Sequence, residues 1–192
     1  MNIELLISKV AKHISLSEQE IKFFTSLVKP KSLKKGEFLL REGDVCKHES
    51  FVIKGCLKSF SHDENGDEHI LDFLIEEWWA DDLYSFFTQT PAGSSIKAME
   101  DSDVLQISRG DLETLYQANP KFERFFRLLF QNAYITQREQ INLILSTPAE
   151  ERYIHFLKKK PYADKRFPQK DIASYLGITP QFLSILRNKA YR

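Results

Sequence analysis

The chain has 192 residues, 42% of them hydrophobic, and its 27 basic and 27 acidic side chains give a formal net charge of zero. This length and composition suit one sizeable hydrophobic core and one small core, so we expect two domains. The N-terminus lacks the basic-then-apolar layout of a secretory signal, and no apolar run approaches the roughly eighteen residues of a membrane span. We therefore expect neither a secreted nor a membrane-spanning protein and predict a cytoplasmic location.

The first stretch, residues 2–28, has the spacing of amphipathic helices. Apolar residues recur at three- and four-residue steps, and Ser17 is followed three residues later by Glu20. That pair is the signature of a capping box. One or two helices are therefore predicted before Pro30, where the pattern changes.

After Pro30 the apolar residues come in short runs separated by turn signals. Asn65-Gly66, between two such runs, is the strongest short hairpin signal available. Short strands at regular spacing over about 75 residues indicate an antiparallel sandwich or barrel. The runs predicted as strands are 38–40, 50–53, 57–60, 70–75, 95–98 and 104–107. One or two helical turns are predicted at 83–89.

A long helix is predicted next, between Asn119-Pro120 and Thr147-Pro148. It has about 26 residues and spans roughly 39 Å. Its apolar residues cover more than one stripe, so we expect it to bury two faces. One face can rest on the strands, and an identical helix in a twofold dimer is the simplest partner for the other. Burial of both faces within one chain is the alternative. The residues expected in the dimer interface are Phe122, Phe126, Leu129 and Ala133.

A helix-turn-helix is predicted at 169–189, because apolar residues recur there where two steeply crossing helices must meet. Gly177 can adopt the positive φ that ends a helix. Thr179 is a good N-cap, and Pro180 fits the first turn of the second helix. An αα-corner in a helical domain is the alternative. The inward-facing apolar residues are Ile172, Leu176, Leu183 and Leu186.

The distribution of charge separates this C-terminal segment from the rest. From Glu150 onward there are ten Lys and Arg against four Asp and Glu, a balance of +6, which leaves −6 for the first 149 residues. A basic segment joined to an acidic remainder is typical of a nucleic-acid-binding module fused to a domain with another role.

A strand-rich region, a long helix and a helix-turn-helix, in that order, resemble the cyclic-AMP receptor protein and FNR (CRP/FNR) family of bacterial transcription regulators. The resemblance covers nearly the whole chain. It implies an α+β fold: an antiparallel, cyclic nucleotide-binding-like β-roll effector domain over 1–118, a dimerisation helix over 119–146 and a helix-turn-helix DNA-binding domain over 147–192. The motifs are Gly36-Glu37-Phe38, Glu42-Gly43-Asp44, Phe51-Val52-Ile53-Lys54-Gly55 and the stretch DIASYLGITPQFLSILR.

The sequence departs from the family at the effector site. Nucleotide-binding members hold the ribose with a Gly-Glu pair and the cyclic phosphate with an Arg-Ser or Arg-Thr pair; the matching stretches here are 79–83 and 91–95. Asp81 can stand in for the glutamate, but the arginine has no counterpart, so a phosphate charge would stay uncompensated. The sequence therefore argues against a cyclic nucleotide and leaves the effector unidentified. The effector-pocket candidates are Asp81, Asp82, Ser94 and Ser95.

The resemblance also implies a homodimer that places the helix at 179–190 of each copy in successive major grooves of a twofold-symmetric operator, roughly 34 Å apart. Gln181 suits adenine, Ile185 a thymine methyl group, and Arg187 guanine or a phosphate. RNA polymerase is a candidate protein partner. The full set of DNA-binding candidates is Gln169, Lys170, Thr179, Gln181, Ser184, Ile185, Arg187, Asn188 and Lys189.

Catalysis is not expected, because the histidines are scattered and no Ser/His/Asp, HExxH or P-loop pattern is present. Cys46 and Cys56 lack metal-site spacing and cannot supply the four thiolates of a usual iron–sulfur cluster, so neither a metal nor a cofactor is predicted. Two other functions stay open: an effector-binding or protein-docking module whose helix-turn-helix does not read DNA, and an RNA-binding regulator. Binding to duplex operator DNA with a steep salt dependence separates the first interpretation from both.

Overall fold

The structure, a computed structural model, describes residues 3–190 and contains two compact units. The first unit consists of residues up to Ser61 together with Asp72–Leu129, and the second consists of His62–Leu71 and residues from Phe130 onward. The second unit therefore includes a ten-residue piece of chain that the sequence assigned to the effector domain.

Two helices, α1 (Glu4–Ala11) and α2 (Glu18–Leu27), precede the strands. The Ser17 hydroxyl accepts a hydrogen bond from the backbone N–H of Glu20, and the Glu20 carboxylate accepts one from the backbone N–H of Ser17 at 2.7 Å. The predicted capping box is confirmed, and it fixes the residue at which α2 begins.

Within the described residues the chain forms two antiparallel sheets. Their strand orders are β1-β7-β3 and β2-β6-β4-β5. Every predicted strand is present, and the Asn65-Gly66 turn joins β4 to β5 as expected. The strands are β1 (Lys29–Leu33), β2 (Phe38–Leu40), β3 (His48–Lys54), β4 (Leu57–His62), β5 (Glu68–Leu74), β6 (Ser95–Ala98) and β7 (Ser102–Ser108).

The strand β1 is the one that the sequence did not predict. Its sequence is KPKSL, with a single buried residue, Leu33, and no hydrophobic run. It is an edge strand, where a proline such as Pro30 is tolerated because one row of N–H groups needs no partner in the sheet. The strand forms because it pairs with β7, and the residues of β1 themselves show no pattern that predicts this pairing.

The core of the roll lies between the two sheets. Val52 and Val104, directly paired across β3 and β7, pack with Leu57 of β4 and Ile96 of β6. Strand alternation sends Glu49 and Phe51 to the opposite side of β3. The roll therefore has an inner apolar layer and an outer face that the helices cover.

Three helices complete the first unit or begin in it: α3 (Leu83–Thr88), α4 (Arg109–Ala118) and α5 (Lys121–Ser146). The 26 residues of α5 match the predicted length. Its first two turns pack into an aromatic cluster, with ring centroids 4.9 Å apart for Phe24 and Phe122 and 5.6 Å apart for Trp79 and Phe126.

Phe122 and Phe126 are 0% exposed in that cluster. The expectation that these two rings lie in a dimer interface is therefore corrected. The helical period alone cannot tell which apolar face of α5 meets the chain's own strands, and the phenylalanines turn out to occupy that face.

The second unit carries four short helices after α5, namely α6 (Ala149–Lys159), α7 (Ala163–Arg166), α8 (Gln169–Leu176) and α9 (Pro180–Ala190). The sequence did not predict α7, whose four residues are too few for a periodic pattern. No helix between residues 3 and 190 is long and apolar enough to cross a membrane.

A buried glutamate, Glu49, and a half-buried aspartate, Asp81, lie together on the outer face of the roll. Glu49 is 0% exposed, and neither carboxylate oxygen has a partner with hydrogen-bond geometry. The bridge between Phe51 and Trp79 places Glu49 opposite Asp81. Burial, then repulsion from Asp81, raises the pKa of Glu49 well above its usual value, and burial raises the pKa of Asp81 to about 6. At a pH between the unfolded and folded pKa values, the carboxyl groups of Glu49 and Asp81 are therefore protonated in the folded protein and ionised in the unfolded chain.

This pair predicts a stability that falls with rising pH. Unfolded carboxyls titrate near pH 4. Because both folded values are higher, the contribution of the pair is full below about pH 4 and is lost as the pH rises through about 6 and above. Glu49→Gln cannot ionise, so its urea midpoint should fall less between pH 5 and pH 8 than that of the wild type. Glu64→Gln, in the exposed hairpin turn, is the matched control. Equal declines in all three proteins would contradict the assignment.

Candidate nucleic-acid interface

The corner between α8 and α9 has the predicted geometry. Gly177 has φ of 64°, in the left-handed region that ends a helix. The Thr179 hydroxyl accepts a hydrogen bond from the Phe182 N–H at 3.2 Å, and Pro180 is the first residue of α9. Three local signals thus fix where α8 stops and α9 starts.

Small and apolar side chains hold the two helices together. Ala173 is 1% exposed, and its carbonyl oxygen accepts a hydrogen bond from Ile178 at 3.0 Å. Leu183 and Leu186 are also buried, so one side of α9 faces inward. The opposite side is left for solvent or a partner.

The exposed side of α9 carries the predicted base-reading residues. Gln181, Ser184, Ile185 and Asn188 are all exposed, at the three- and four-residue spacing of one helix face. Phe182, which the sequence interpretation did not include, stands beside them with 42% exposure, and Ile185 has 53%. Phe182 lies four residues before the inward Leu186, which by helical spacing puts it near the inward side, so the sequence pattern did not indicate its exposure.

Arg187 lies away from this face. Its Nε is 3.7 Å from Oδ2 of Asp164 on α7, and that same oxygen accepts a hydrogen bond from the Tyr153 hydroxyl at 2.6 Å. The Asp164 side chain is only 6% exposed. The structure therefore places Arg187 beside a buried acid, while the other base-reading candidates share the outer face.

The predicted phosphate contacts surround the corner. Lys170 is exposed on the first turn of α8, next to the half-buried Gln169. Lys189 is 64% exposed, and its Nζ lies 3.9 Å from Glu150, a surface pair worth little. Lys160, counted in the basic segment, is 4% exposed and adds nothing to the surface. Arg192, also counted there, lies outside the described residues.

One arginine that sequence reasoning missed joins the ends of two helices. The Arg152 guanidinium donates hydrogen bonds to the carbonyl oxygens of Thr147 at 2.8 Å and of Leu176 at 2.9 Å. Carbonyls at helix C-termini lack intrahelical partners and attract a positive charge. Arg152 therefore ties α8 to the end of α5. Its position one turn after the Pro148 break was the only signal in the sequence.

A serine on α8 binds the first residues of β5, within the second unit. The Ser174 hydroxyl donates to the carbonyl oxygen of Glu68 at 3.1 Å and accepts from the N–H of Ile70 at 3.0 Å. Gln140 of α5 donates to the carbonyl oxygen of Leu71 at 3.2 Å. The first half of β5 is thus fixed to the helices of this unit, which the sequence did not predict.

Three of the four effector-pocket candidates, Asp82, Ser94 and Ser95, make hydrogen bonds within the first unit. Asp82 caps α3 by accepting from the Ser85 N–H at 2.9 Å, and it accepts from the Ser94 hydroxyl at 3.1 Å. The Ser95 hydroxyl accepts from the Glu42 N–H at 2.9 Å, and Asp81 lies opposite Glu49. Only Asp82 and Ser94 are brought together.

The prediction that a cyclic nucleotide does not bind at these residues rests on their charge. Its phosphate would meet the Asp82 carboxylate with no cation in the 91–95 stretch. A like charge at about 4 Å opposes binding by roughly 4 kcal/mol at an effective dielectric of about 20. Among residues 3–190, no three His, Cys, Asp or Glu side chains converge as a metal site requires.

Comparison with known proteins finds the cyclic nucleotide-binding domain family matching residues 30–119. An anaerobic regulatory protein of Haemophilus influenzae is 28% identical, over 94% of this chain and 74% of the relative. A fumarate and nitrate reduction regulatory protein of Vibrio cholerae is also 28% identical, over 94% of this chain and 76% of the relative. The structure of FixK2 from Bradyrhizobium japonicum aligns with a TM-score of 0.74 at 17% identity, covering 85% of this chain and 84% of that one.

Arg152 predicts a matched set of stability changes. Hydrogen bonds to a charged group contribute about 1.5–3 kcal/mol each, less where solvent reaches them. Arg152→Ala should therefore lower the free energy of unfolding by about 2–4 kcal/mol in urea titrations and speed hydrogen exchange in α8. Arg152→Lys should recover less than half of the loss, because an ammonium cannot reach both carbonyls as a fork. Lys158→Ala, exposed on the same helix, should stay within about 0.5 kcal/mol. Full stability of the lysine variant would contradict the bridging role.

Proposed function

The chain belongs to the CRP/FNR family of bacterial transcription regulators, and we propose that it acts as a homodimer that reads a twofold-symmetric DNA operator through α9. The family matches and the fold support DNA-binding transcription regulation. The observation that carries the operator proposal is the outer face of α9, which is exposed from Gln181 to Asn188 while its leucines are buried.

The chemistry of that face favours A·T base pairs. Gln181 and Asn188 can each pair with adenine through two hydrogen bonds, and the apolar Phe182 and Ile185 suit thymine methyl groups. The one arginine of α9, Arg187, lies beside Asp164 instead of with this set. Because guanine is most often read by Arg or Lys, we propose that the central positions of each half-site are A·T.

We assign the positioning of the protein on the DNA duplex to residues that contact backbone phosphates. Lys170 and Lys189 supply charge, while Gln169 and Thr179 supply hydrogen bonds near the two helix N-termini, where the backbone also favours phosphate. These contacts carry no base information, so they set affinity and salt dependence.

The proposed dimer forms through the second half of α5. Tyr134, Ile141 and Leu145 are 65%, 47% and 80% exposed, and their seven- and four-residue spacing forms one stripe. That spacing is the seam of a two-stranded coiled coil. Leu129 and Ala133, the two interface candidates that are not fully buried, lie half-exposed on the same helix. A second copy of α5 is the partner that we propose for this stripe.

Two further parts of the proposal concern a protein partner and the location. RNA polymerase is proposed as a partner at promoters, and the cytoplasm as the location. A protein-docking role for α9 is the second candidate function, and the exposed Phe182 and Ile185 favour it because large apolar side chains are common anchors in protein interfaces. Binding to duplex DNA decides between the two.

Selection of bound sequences from genomic DNA fragments, followed by affinity titration, tests base recognition by the exposed face of α9. Gln181→Ala should weaken binding to the selected operator by about 5- to 150-fold, equivalent to about 1–3 kcal/mol, and leave nonspecific duplex unaffected. Lys170→Ala should weaken both and lower the salt slope by about one. Lys12→Ala, an exposed cation on the first unit, should change neither. Failure to select any duplex sequence, or selection of G·C at the half-site centres, would overturn the corresponding part of the proposal.

Light scattering tests the dimer. Leu145→Glu places a charge in the proposed seam, so the variant should be monomeric at tens of micromolar while the wild type is dimeric. Leu145 is 80% exposed, so the change should not disturb the fold of the monomer. Asn142→Glu, an exposed neighbour on α5, is the control and should remain a dimer. A monomeric wild type would remove this interface from the proposal.

A further inference from the structure

A cavity of about 480 Å³ opens on the first unit beside β2 and the loop that joins β2 to β3. Small-molecule sites in proteins commonly have about 300–1,000 Å³, so the cavity is large enough for an organic ligand. None of the effector-pocket candidates Asp81, Asp82, Ser94 and Ser95 lines it. Ala80, from the stretch 79–83, does line it, so the cavity adjoins the place where the resemblance puts a nucleotide but contains none of those four residues.

The floor of the cavity is apolar and incompletely covered. Phe38 and Leu40 of β2 line it together with Ile96 of β6, which is 0% exposed. All three residues of β2 are only half-buried, although Leu39 and Leu40 also pack on the core between the sheets. A ligand with an apolar body would therefore remove more of this surface from water.

The rim of the cavity is positively charged. Arg41, Lys47 and His48 line it, and Asp44 is the one acid among the lining residues. None of the three basic side chains makes an ion pair with any residue between 3 and 190. The guanidinium carbon of Arg41 lies 3.8 Å from the centre of the Phe38 ring, so this cation extends over the apolar floor.

The register of the first sheet brings further positive charge near the rim. Lys29 pairs with Gln106, which pairs in turn with Ser50, and both Gln106 and Ser50 line the cavity. His48, two residues before Ser50, lies on the same face of β3. Partial burial, then the charges of Lys31 and Lys29, lowers the pKa of His48, while Asp111 opposes them. His48 therefore adds little positive charge near pH 7, and Arg41 and Lys47 carry the charge of the rim.

A ligand of one chemical class satisfies both the floor and the rim. A neutral apolar molecule would leave the cations without a counter-charge, and a purely polar anion would leave the floor in contact with water. Arginine binds a carboxylate through two parallel hydrogen bonds, and a neighbouring lysine adds a point charge. We propose that this cavity binds a small organic anion with an apolar body, such as a medium-chain carboxylate, with its head group at Arg41 and Lys47 and its body on Phe38 and Leu40.

Titration calorimetry of the full chain with ligands that share one body tests the proposal. Octanoate should bind saturably, 1-octanol at least tenfold more weakly, and octylammonium without measurable heat. Inorganic phosphate, which has the charge but no body, should also bind at least tenfold more weakly than octanoate. Equal affinity for octanoate and 1-octanol, or for octanoate and phosphate, would overturn the proposal.

Matched variants locate the site. Arg41→Gln and Lys47→Gln should each weaken octanoate binding at least tenfold and bring it close to the affinity for 1-octanol. Lys35→Gln, an exposed lysine in the preceding turn that does not line the cavity, should leave it unchanged. Thermal melts followed by circular dichroism confirm that each variant is folded. Unchanged octanoate binding in both cavity variants would place the ligand elsewhere and overturn the assignment.

Cyclic AMP provides a further outcome. If it binds in the micromolar range and Arg41→Gln abolishes that binding, the cavity takes a nucleotide and the proposed ligand class is wrong. These measurements contain no DNA, so a negative result for the ligand does not affect the operator proposal. In the same way, a failure to bind operator DNA does not affect the ligand proposal.

Discussion

The attachment of α8 to the end of α5 depends on the Arg152 guanidinium. Helix C-termini carry carbonyl groups without partners and a partial negative charge, and here two such termini share one cation. The carbonyl of Leu176 directly precedes Gly177, so the fixed point lies at the corner that sets the direction of α9. The exposure of Gln181 and Ile185 on one face then follows from the burial of Leu183 and Leu186 on the other.

Features determined by a few adjacent residues could be predicted from the sequence. The capping box at Ser17, the Asn65-Gly66 hairpin, the positive φ of Gly177 and the Thr179 cap each depend on contacts within about four positions, and each is present. The length of α5 was predictable for a similar reason, because prolines flank it. Interactions between neighbouring residues thus made the order of the helices and strands, and the exposed face of α9, predictable from the sequence.

Features that depend on distant partners could not be predicted in the same way. The polar strand β1 exists because β7 pairs with it, and Phe122 is buried because α2 and the loop carrying Trp79 cover that part of α5. An arginine on a recognition helix is a common base-reading residue, so the sequence indicated that role for Arg187. The side chain lies instead beside Asp164 of another helix, and that contact is not visible in the local sequence. Arg41 directly follows the apolar β2, but the cavity also needs Ser50, Ile96 and Gln106 from three other strands, so no local motif indicates it.

The hydroxyl of Ser174 has a consequence for the solubility of the protein. β5 ends its sheet, and the backbone groups of such a strand can recruit a strand from another molecule, which is a common start of aggregation and domain swapping. A serine hydroxyl both donates and accepts, so it engages the carbonyl of Glu68 and the N–H of Ile70 at once. Ser174 thereby occupies two backbone groups of β5 within the second unit, and a chain truncated before α8 would leave both groups open to a strand of another molecule.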